Sequence, residues 1–409
     1  MKVLLLTQVL PFPPDSGPKI KTWNTLKYLA ARHEVTLVSF VRGDQSEDIK
    51  VLRRVCAAVH SVPISRTPLL DGMALIRSLT TGLPWVITRD DRAAMHHLLD
   101  QVARQVMYDV VHADQLNMAQ YALPLPAGQR VLDNHNALWL LYKRLWQTLP
   151  AGPKKALFGR DWQLMKDYEG EMCRRFDGVI AVSENDRSAL REAAGNDLDI
   201  AVIPIAVDTH EVTPIQRNPG SDHILHIGTM FWPPNVDGVL WFLREIFPLV
   251  RSKLPDTRFD VVGARPPHEV VAAGQADGVN VTGYVADPGP YLRDAGAVVV
   301  PLRAGGGMRV KILEALAQGL PVVTTTLGCE GIAVEHSRHL LIADTPEAFA
   351  QAVVRLLQDR PLAEELGRNG RRLIEERYDY RVAYRPLDDL YSSITDTRET
   401  HDEILLAQS

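Results

Sequence analysis

The sequence predicts an α/β protein built as two doubly wound, Rossmann-like domains in tandem, and three observations predict it. The chain has 409 residues, more than one ordinary core accommodates. Short runs that are apolar almost throughout alternate with amphipathic helical segments, the pattern of a parallel sheet covered on both faces. That rhythm is interrupted once, by the polar, Pro- and Gly-containing stretch "DTHEVTPIQRNPGSD" (208–222), and then begins again.

Taken in order, the first strand is "KVLLLT". Its apolar run is too short for a signal peptide and no small-residue cleavage site follows it, so it reads as a buried strand. An amphipathic helix (20–33), a strand (35–41) and a second helical segment, "EDIKVLRRVCAAV" (47–59), come next. Further strands are expected at 109–113, 130–135, 178–183 and 200–205. The second half supplies strands at 223–230, 258–264, 279–285, 297–302, 321–326 and 339–344, then a long helical stretch at 378–394 and a polar tail. The domains expected are therefore 1–207 and 223–377, joined by a linker at 208–222.

Composition narrows the function classes. Apolar residues make up 46% and charged residues 23%, a soluble globular balance, and a net charge of -5 gives no reason to expect nucleic acid as a partner. Cys56, Cys173 and Cys329 are far apart and form no CxxC pair, which disfavours a disulfide or thiolate-metal framework. No apolar run approaches the roughly 18 residues needed to span a bilayer. A cytoplasmic chain is the expectation.

The stretch with the most chemistry is "AGGGMRVKILEALAQGLPVV" (304–323). A strand end, a glycine loop and a helix beginning near Met308 or Arg309 form the arrangement that binds phosphate: glycines bring backbone N–H groups close, and the first helical turn favours negative charge. Arg309 and Lys311 add cations, and Glu314 lies one turn further along the same helix. Against this stands an ordinary βα loop with a solvated Lys–Glu pair.

The same stretch resembles the signature of the retaining, GT-B fold glycosyltransferases of family 4. Their second half-motif, "LEALAxGxPVV", corresponds to "LEALAQGLPVV" here. The resemblance spans residues 1 to about 394 and includes "DGVIAVSENDRSAL", "VIPIAVD" and "VTGYVADPGPYLRDAGAVVVPL". It implies two domains facing each other across a cleft, with the 378–394 helix crossing back onto the first. It also implies transfer of a sugar from a nucleoside diphosphate to an acceptor hydroxyl, without a metal or other cofactor.

Site roles follow from the same resemblance. Gly306, Gly307, Met308, Arg309 and Lys311 would cradle the donor diphosphate, together with Gly17 in the loop after the first strand. Glu314 would hold the ribose, and Tyr284 and Val285 would border the base. "YDVVHADQ" resembles the family's "DVVHxH" strand end, with Asp114 in place of the second histidine, which makes Asp114 the catalytic candidate. His135 at the next strand end is a second candidate, or a structural histidine. Lys19 reads better as a surface residue than as an acceptor contact.

Two positions depart from the family pattern. Gly306 stands where a first glutamate contacts the sugar, and "HIGTMFWPPNVDGV" (226–239) lacks the usual arginine and lysine of the diphosphate clamp. Arg309 and Lys311 are expected to make up that charge, which a leaving diphosphate needs. The wording "PPNVD" and "GGGMRVKILEA" resembles a subgroup tied to bacterial exopolysaccharide clusters, where a sugar or lipid-linked acceptor and peripheral contact with the membrane's inner face would fit. The competing readings are a nucleotide-sugar epimerase or hydrolase on the same fold, and a binding scaffold whose catalysis has lapsed. A dehydrogenase is disfavoured because no GxGxxG follows "KVLLLT".

Overall fold

The computed structural model describes residues 1–392 and divides the chain into two compact units. The first comprises Met1–Ala206 and the described residues from Tyr380 to Ser392; the second is Val207–Asp379.

The sheet of the first unit has seven strands, all parallel: β1 (Lys2–Thr7), β2 (Glu34–Val41), β3 (Ala58–Pro63), β4 (Tyr108–Asp114), β5 (Ala127–Asp133), β6 (Gly178–Ala181) and β7 (Ala201–Val202). Their spatial order is β3-β2-β1-β4-β5-β6-β7. Alternate residues feed opposite cores. Leu4 and Leu6 pack with Val38, Val111 and Leu132, whereas Val3 and Leu5 pack with Leu37, Val110 and Val131. This two-sided burial is why the strands read as unbroken apolar runs.

The second unit repeats the plan with six parallel strands: β8 (His223–Ile227), β9 (Phe259–Val262), β10 (Val279–Gly283), β11 (Ala295–Val300), β12 (Val322–Thr324) and β13 (Leu341–Ile342). Their order is β10-β9-β8-β11-β12-β13. In each sheet the order reverses once, between β1 and β4 and between β8 and β11. Ligands of such sheets collect outside the carboxyl ends at that reversal.

Four sequence expectations are corrected. Residues 58–63 form strand β3, where a helix to residue 59 was expected; the helix stops at Leu52. The stretch at 208–222 is no free linker. Thr209 donates its N–H and hydroxyl to Asp379, Ile215 N–H donates to the Gln318 carbonyl, Asn218 N–H donates to the Arg293 carbonyl, and Arg371 donates to the carbonyls of Thr209 and Val212. Its polar groups serve the second unit's surface. The chain passes between units at 206/207 and 379/380, where Val207 and Asp379 form a parallel bridge. The closing helix is also interrupted, with a π-turn at Ile374–Tyr378, a short helix at Tyr380–Ala383 and helix again at 386–392. The last two residues expected in that helix, and the polar tail, lie outside the described residues.

Close packing elsewhere depends on small residues. A Cβ on Gly170, in the helix Pro153–Arg175, would lie 2.2 Å from the Ala193 carbonyl oxygen at the end of the helix Glu184–Ala194. Backbone cannot yield there cheaply. Gly170→Ala is expected to cost about 1–3 kcal/mol, read as a lower denaturation midpoint in urea with an unchanged slope.

Candidate functional site

The carboxyl ends of the first sheet place charged side chains in a buried layer. Asp114 ends β4 and Asp133 ends β5, side by side in register, with Thr7 of β1 opposite Asp114. The helix Gly17–Ala30 follows β1 and turns Lys21 and Thr22 inward. Lys21 Nζ forms an ion pair with Asp133, although both side chains are almost fully buried. His112 of β4 lies 3.5 Å from Asp133 through Nε2, and its Nδ1 lies 2.8 Å from the Tyr391 hydroxyl. Burial opposes ionisation of Asp133, but Lys21, His112 and His135 outweigh it and hold the carboxyl below its ordinary range.

Asp114 is 1% exposed, and both of its oxygens are engaged. One accepts from the Thr22 hydroxyl at 2.8 Å, and the other lies 2.9 Å from His135 Nε2. His135 Nδ1 lies 3.3 Å from the Gln115 amide nitrogen, so the ring is held at both nitrogens. Gln115 has φ of 77°, a left-handed conformation that costs a non-glycine residue energy and often marks a functional turn. Of the two catalytic candidates, Asp114 is the inner member and His135 the outer one.

Asp114, Asp133 and His135 each offer a ligand atom, all within 4.8 Å of one another, so the group could hold a metal ion. The Lys21 ammonium already sits on Asp133, and a cation bound there would have to displace it. Gly17 begins its helix after Ser16, whose side chain makes no cap, and the first turn contains no acid. Lys19 pairs with Asp15 at 3.0 Å on the surface.

In the second unit the glycine loop joins β11 to the helix Val310–Ala317. That helix begins later than expected: Met308 precedes it, and Arg309 is its N-cap, in extended conformation. Gly305 and Gly307 have φ of 117° and 74°, which is why the loop needs glycine at both positions. Arg303 anchors the loop's entry by a two-pronged pair with Asp237 at 2.7 and 3.1 Å. The sequence put Arg309 beside the donor diphosphate as an added cation. Its guanidinium turns back to donate to the carbonyls of Gly306 and Gly307, bracing the loop.

Lys311 reaches the end of β8. Its Nζ would lie 2.5 Å from a Cβ on Gly228, and it donates to Asn235 Oδ1 at 2.9 Å. Asn235, in the "PPNVD" stretch, in turn donates to the Thr229 carbonyl at 2.9 Å. The place where a clamp cation was missing from the sequence thus receives one from the opposite helix. A Cβ on Gly263 would meet the Gly228 carbonyl oxygen at 1.8 Å, so the ends of β8 and β9 lie in direct contact beneath it.

Burial lowers the pKa of Lys311 to about 7, with Arg309 pushing the same way and Glu314 opposing. Burial raises that of Glu314 to about 7 against the pull of Lys311. Beneath them His226 is fully buried and held neutral by burial and by Lys311, with Nδ1 2.9 Å from the Val299 carbonyl. Tyr284, 78% exposed, and Val285 follow β10, whose last carbonyl, at Gly283, accepts from Gly263 N–H at 2.9 Å.

Each unit thus buries a lysine at its sheet's reversal point, but the two differ in partner. Lys21 has a carboxylate; Lys311 has an amide oxygen. Sequence reasoning missed Lys21, Thr22, Asp133 and Asn235. Asn235 stood inside the quoted "PPNVD" and Asp133 inside the strand expected at 130–135, whereas Lys21 carried no signal, since a lysine in an amphipathic helix reads as solvated.

Comparison with known proteins bears on this arrangement. A family model described as glycosyltransferase family 4 matches residues 20–211, and one described as glycosyl transferases group 1 matches residues 221–359. A Klebsiella pneumoniae protein described as an uncharacterized 44.6 kDa protein in the cps region is 21% identical over 94% of this chain and 98% of its own length. A Mycobacterium leprae phosphatidyl-myo-inositol mannosyltransferase is 26% identical over 53% of this chain and 59% of its own. Among solved structures, sucrose-phosphate synthase from Thermosynechococcus elongatus superposes with a TM-score of 0.70 at 16% identity, over 97% of this chain and 100% of that one. Anabaena HepE in complex with UDP gives 0.67 at 15% identity, over 96% and 100%.

The buried Lys21–Asp133 pair generates a stability test. Asp133 has a depressed folded pKa, so its contribution is present above the unfolded carboxylate pKa and fades as pH falls through the folded value. Lys21→Met, which strands the carboxylate, is expected to lose about 3–5 kcal/mol near neutral pH by urea denaturation. Adding Asp133→Leu to it should recover most of that loss.

Proposed function

Because the chain belongs to glycosyltransferase family 4 and is a glycosyltransferase of GT-B fold, we propose that it moves a sugar from a nucleoside-diphosphate donor, with retained configuration, to an acceptor hydroxyl in bacterial surface polysaccharide assembly. The observation that carries the donor assignment is Lys311: a half-buried ammonium at the end of β8, facing a glycine loop, with no carboxylate hydrogen-bonded to it among the described residues. A diphosphate supplies the missing negative charge.

The second unit holds the donor in this reading. Lys311 and the backbone around Gly306, Gly307 and Met308 meet the diphosphate, Arg309 keeps the loop in shape, Glu314 takes the ribose, and Tyr284 and Val285 flank the base. The first unit serves the acceptor and the reacting sugar, with Gly17 bringing the open start of its helix close. His135 contacts the sugar and Asp114 orients it, since Asp114 itself is enclosed. The bond between C1 and the diphosphate oxygen breaks, the acceptor oxygen bonds to C1, and the acceptor's proton goes to the departing diphosphate. Lys311 stabilises the charge that develops on the leaving group. Protein cations supply this charge, so we assign no metal to the reaction. The wording of relatives favours polysaccharide assembly: one is named a capsular polysaccharide biosynthesis glycosyltransferase, from Staphylococcus aureus.

A lipid-linked acceptor and peripheral membrane contact belong to the same proposal. Among the described residues no helix is long and apolar enough to cross a membrane. On the helix Pro68–Thr81, however, Leu69, Met73, Ile76 and Leu79 are between 56% and 75% exposed and repeat at helical spacing. Arg66 before this face and Arg77 on the helix pair with Asp90 and Asp91, so the apolar stripe is the feature suited to lying on a bilayer.

Two measurements test these assignments. A thermal-shift series with UDP, GDP, ADP and dTDP should show a clear rise with one of them, lost in Lys311→Met and reduced in Glu314→Ala. Asp114→Asn should keep that rise while turnover falls by roughly a hundredfold or more. Stabilisation by none of the four, or wild-type turnover in Asp114→Asn, would contradict the site map. For the membrane, the chain should float with phosphatidylcholine–phosphatidylglycerol vesicles, and Leu69→Gln/Met73→Gln/Ile76→Gln/Leu79→Gln should not. Equal flotation of both would remove the helix from the account.

A further inference from the structure

We propose that the first unit carries an oxyanion-binding subsite, formed by Arg42, Arg66 and Arg89 around the buried Asp90, that takes a phosphate-type group on the acceptor. The proposal rests on the transferase reading above and names the chemistry of its second substrate.

The three arginines come from separate elements on one edge of the sheet. Arg42 follows the last residue of β2, Arg66 lies just beyond β3, and Arg89 belongs to the helix Trp85–Asp90. Asp90, 1% exposed, gathers them: one oxygen accepts from Arg66 at 2.9 Å and lies 3.5 Å from Arg89 Nε. Its other oxygen accepts from the side-chain amides of Gln8 at 2.5 Å and Asn117 at 2.8 Å. Gln8 is the residue after Thr7, the strand partner of Asp114, and Asn117 lies three positions beyond Asp114. The cluster therefore adjoins the proposed reacting pair within one unit.

One carboxylate faces three guanidinium groups. Nearby charges do not restore the balance. Asp91 is engaged by Arg77 at 2.6 Å and by His96 at 2.9 Å, Arg92 donates to the Ser65 carbonyl, and Asp161, which accepts from Trp85 N–H, is drawn to Arg160 ahead of Arg89. Tyr142, kept protonated by burial, lies in the field of Asp161, Arg89, Asp90 and Arg66.

Donors are left over as well as charge. Arg89 lies over the Trp85 ring at 4.9 Å, and its Nε is buried with no hydrogen-bond partner among the described residues. Arg42, an exposed residue, makes no side-chain hydrogen bond or ion pair among the described residues; its backbone N–H donates to Gln45. Burial lowers its pKa, and Arg66 and Arg89 lower it further against the pull of Asp90. Repulsion of Arg42 by Arg66 and Arg89 disfavours the cluster unless an anion shares it. Each guanidinium offers a planar fork matched to phosphate or carboxylate oxygens. An excess of two positive charges over the one carboxylate suits a phosphate or diphosphate group better than a single carboxylate.

The test is calorimetric titration of the full chain with inorganic pyrophosphate. Lys311→Met removes the donor cradle and leaves the arginine cluster. In that background Arg42→Gln, which breaks no internal contact, should weaken pyrophosphate binding roughly tenfold. Arg66→Gln/Arg89→Gln should abolish it, with unfolding midpoints reporting that both proteins remain folded. Binding to the Lys311→Met protein that Arg42→Gln leaves unchanged would overturn the subsite, as would no binding to the Lys311→Met protein at all.

Phosphatidylcholine vesicles carrying a polyprenyl diphosphate separate the sources of the anion. Arg42-dependent retention at concentrations well below those at which free pyrophosphate binds assigns a lipid carrier, and no retention on the vesicles despite binding of free pyrophosphate assigns a soluble phosphate, either result supporting the subsite. Turnover of a nucleotide sugar is scored separately. A chain that binds pyrophosphate at the arginines but transfers no sugar would refute the transfer reading alone.

Discussion

A lysine ammonium taken largely out of water, with no carboxylate hydrogen-bonded to it among the described residues, is the constraint on which the second unit's site turns. Lys311 spans from its helix to the end of β8, where Gly228 leaves room for it and Asn235 gives it an amide oxygen. A desolvated cation of that kind shifts its pKa readily and binds anions strongly, since the carboxylate nearest in its field, Glu314, only partly offsets the cost of burial. The surrounding choices follow from keeping it there. The glycine-to-glycine contact between β8 and β9 leaves space, the Arg303–Asp237 pair fixes the loop's entry, and Arg309 locks the loop's carbonyls so that its backbone keeps one shape.

The first unit solves the same topological problem in the opposite way. Its buried lysine is neutralised by Asp133, and the carboxylate beside it, Asp114, is occupied by Thr22 and His135. What remains there is a held imidazole, its side chain 8% exposed, and, along the β2–β3 edge, unbalanced arginines. One fold plan thus yields two surfaces of different chemistry. The difference comes from which polar side chains stand at the strand ends, and the sheets themselves do not decide it.

Much of this was legible in the sequence. Strands buried on both faces announce themselves as continuous apolar runs, and the glycine loop before "LEALAQGLPVV" marked where the second unit's site is proposed. The errors have physical causes. β3 is an edge strand, half polar, and was swallowed by the preceding helical pattern. Polar, proline-rich composition marks a linker and a surface strap equally, and only the bonds to Asp379, Gln318 and Arg293 reveal the 208–222 segment as the latter. Arg309 carries the charge a diphosphate wants, yet a side chain at a helix N-cap can fold back onto its own loop. Lys21 was illegible because its partner lies more than a hundred residues away in the chain.

The most direct measurement is of protons exchanged when the nucleoside diphosphate that stabilises the chain binds. Free Lys311, with its pKa lowered to about 7, is mostly neutral at about pH 8, and an adjacent diphosphate draws the proton back. Calorimetry at that pH in buffers of different ionisation enthalpy should show net proton uptake on binding, absent in Lys311→Met. Tight binding with no uptake, or the same uptake without Lys311, would contradict the account.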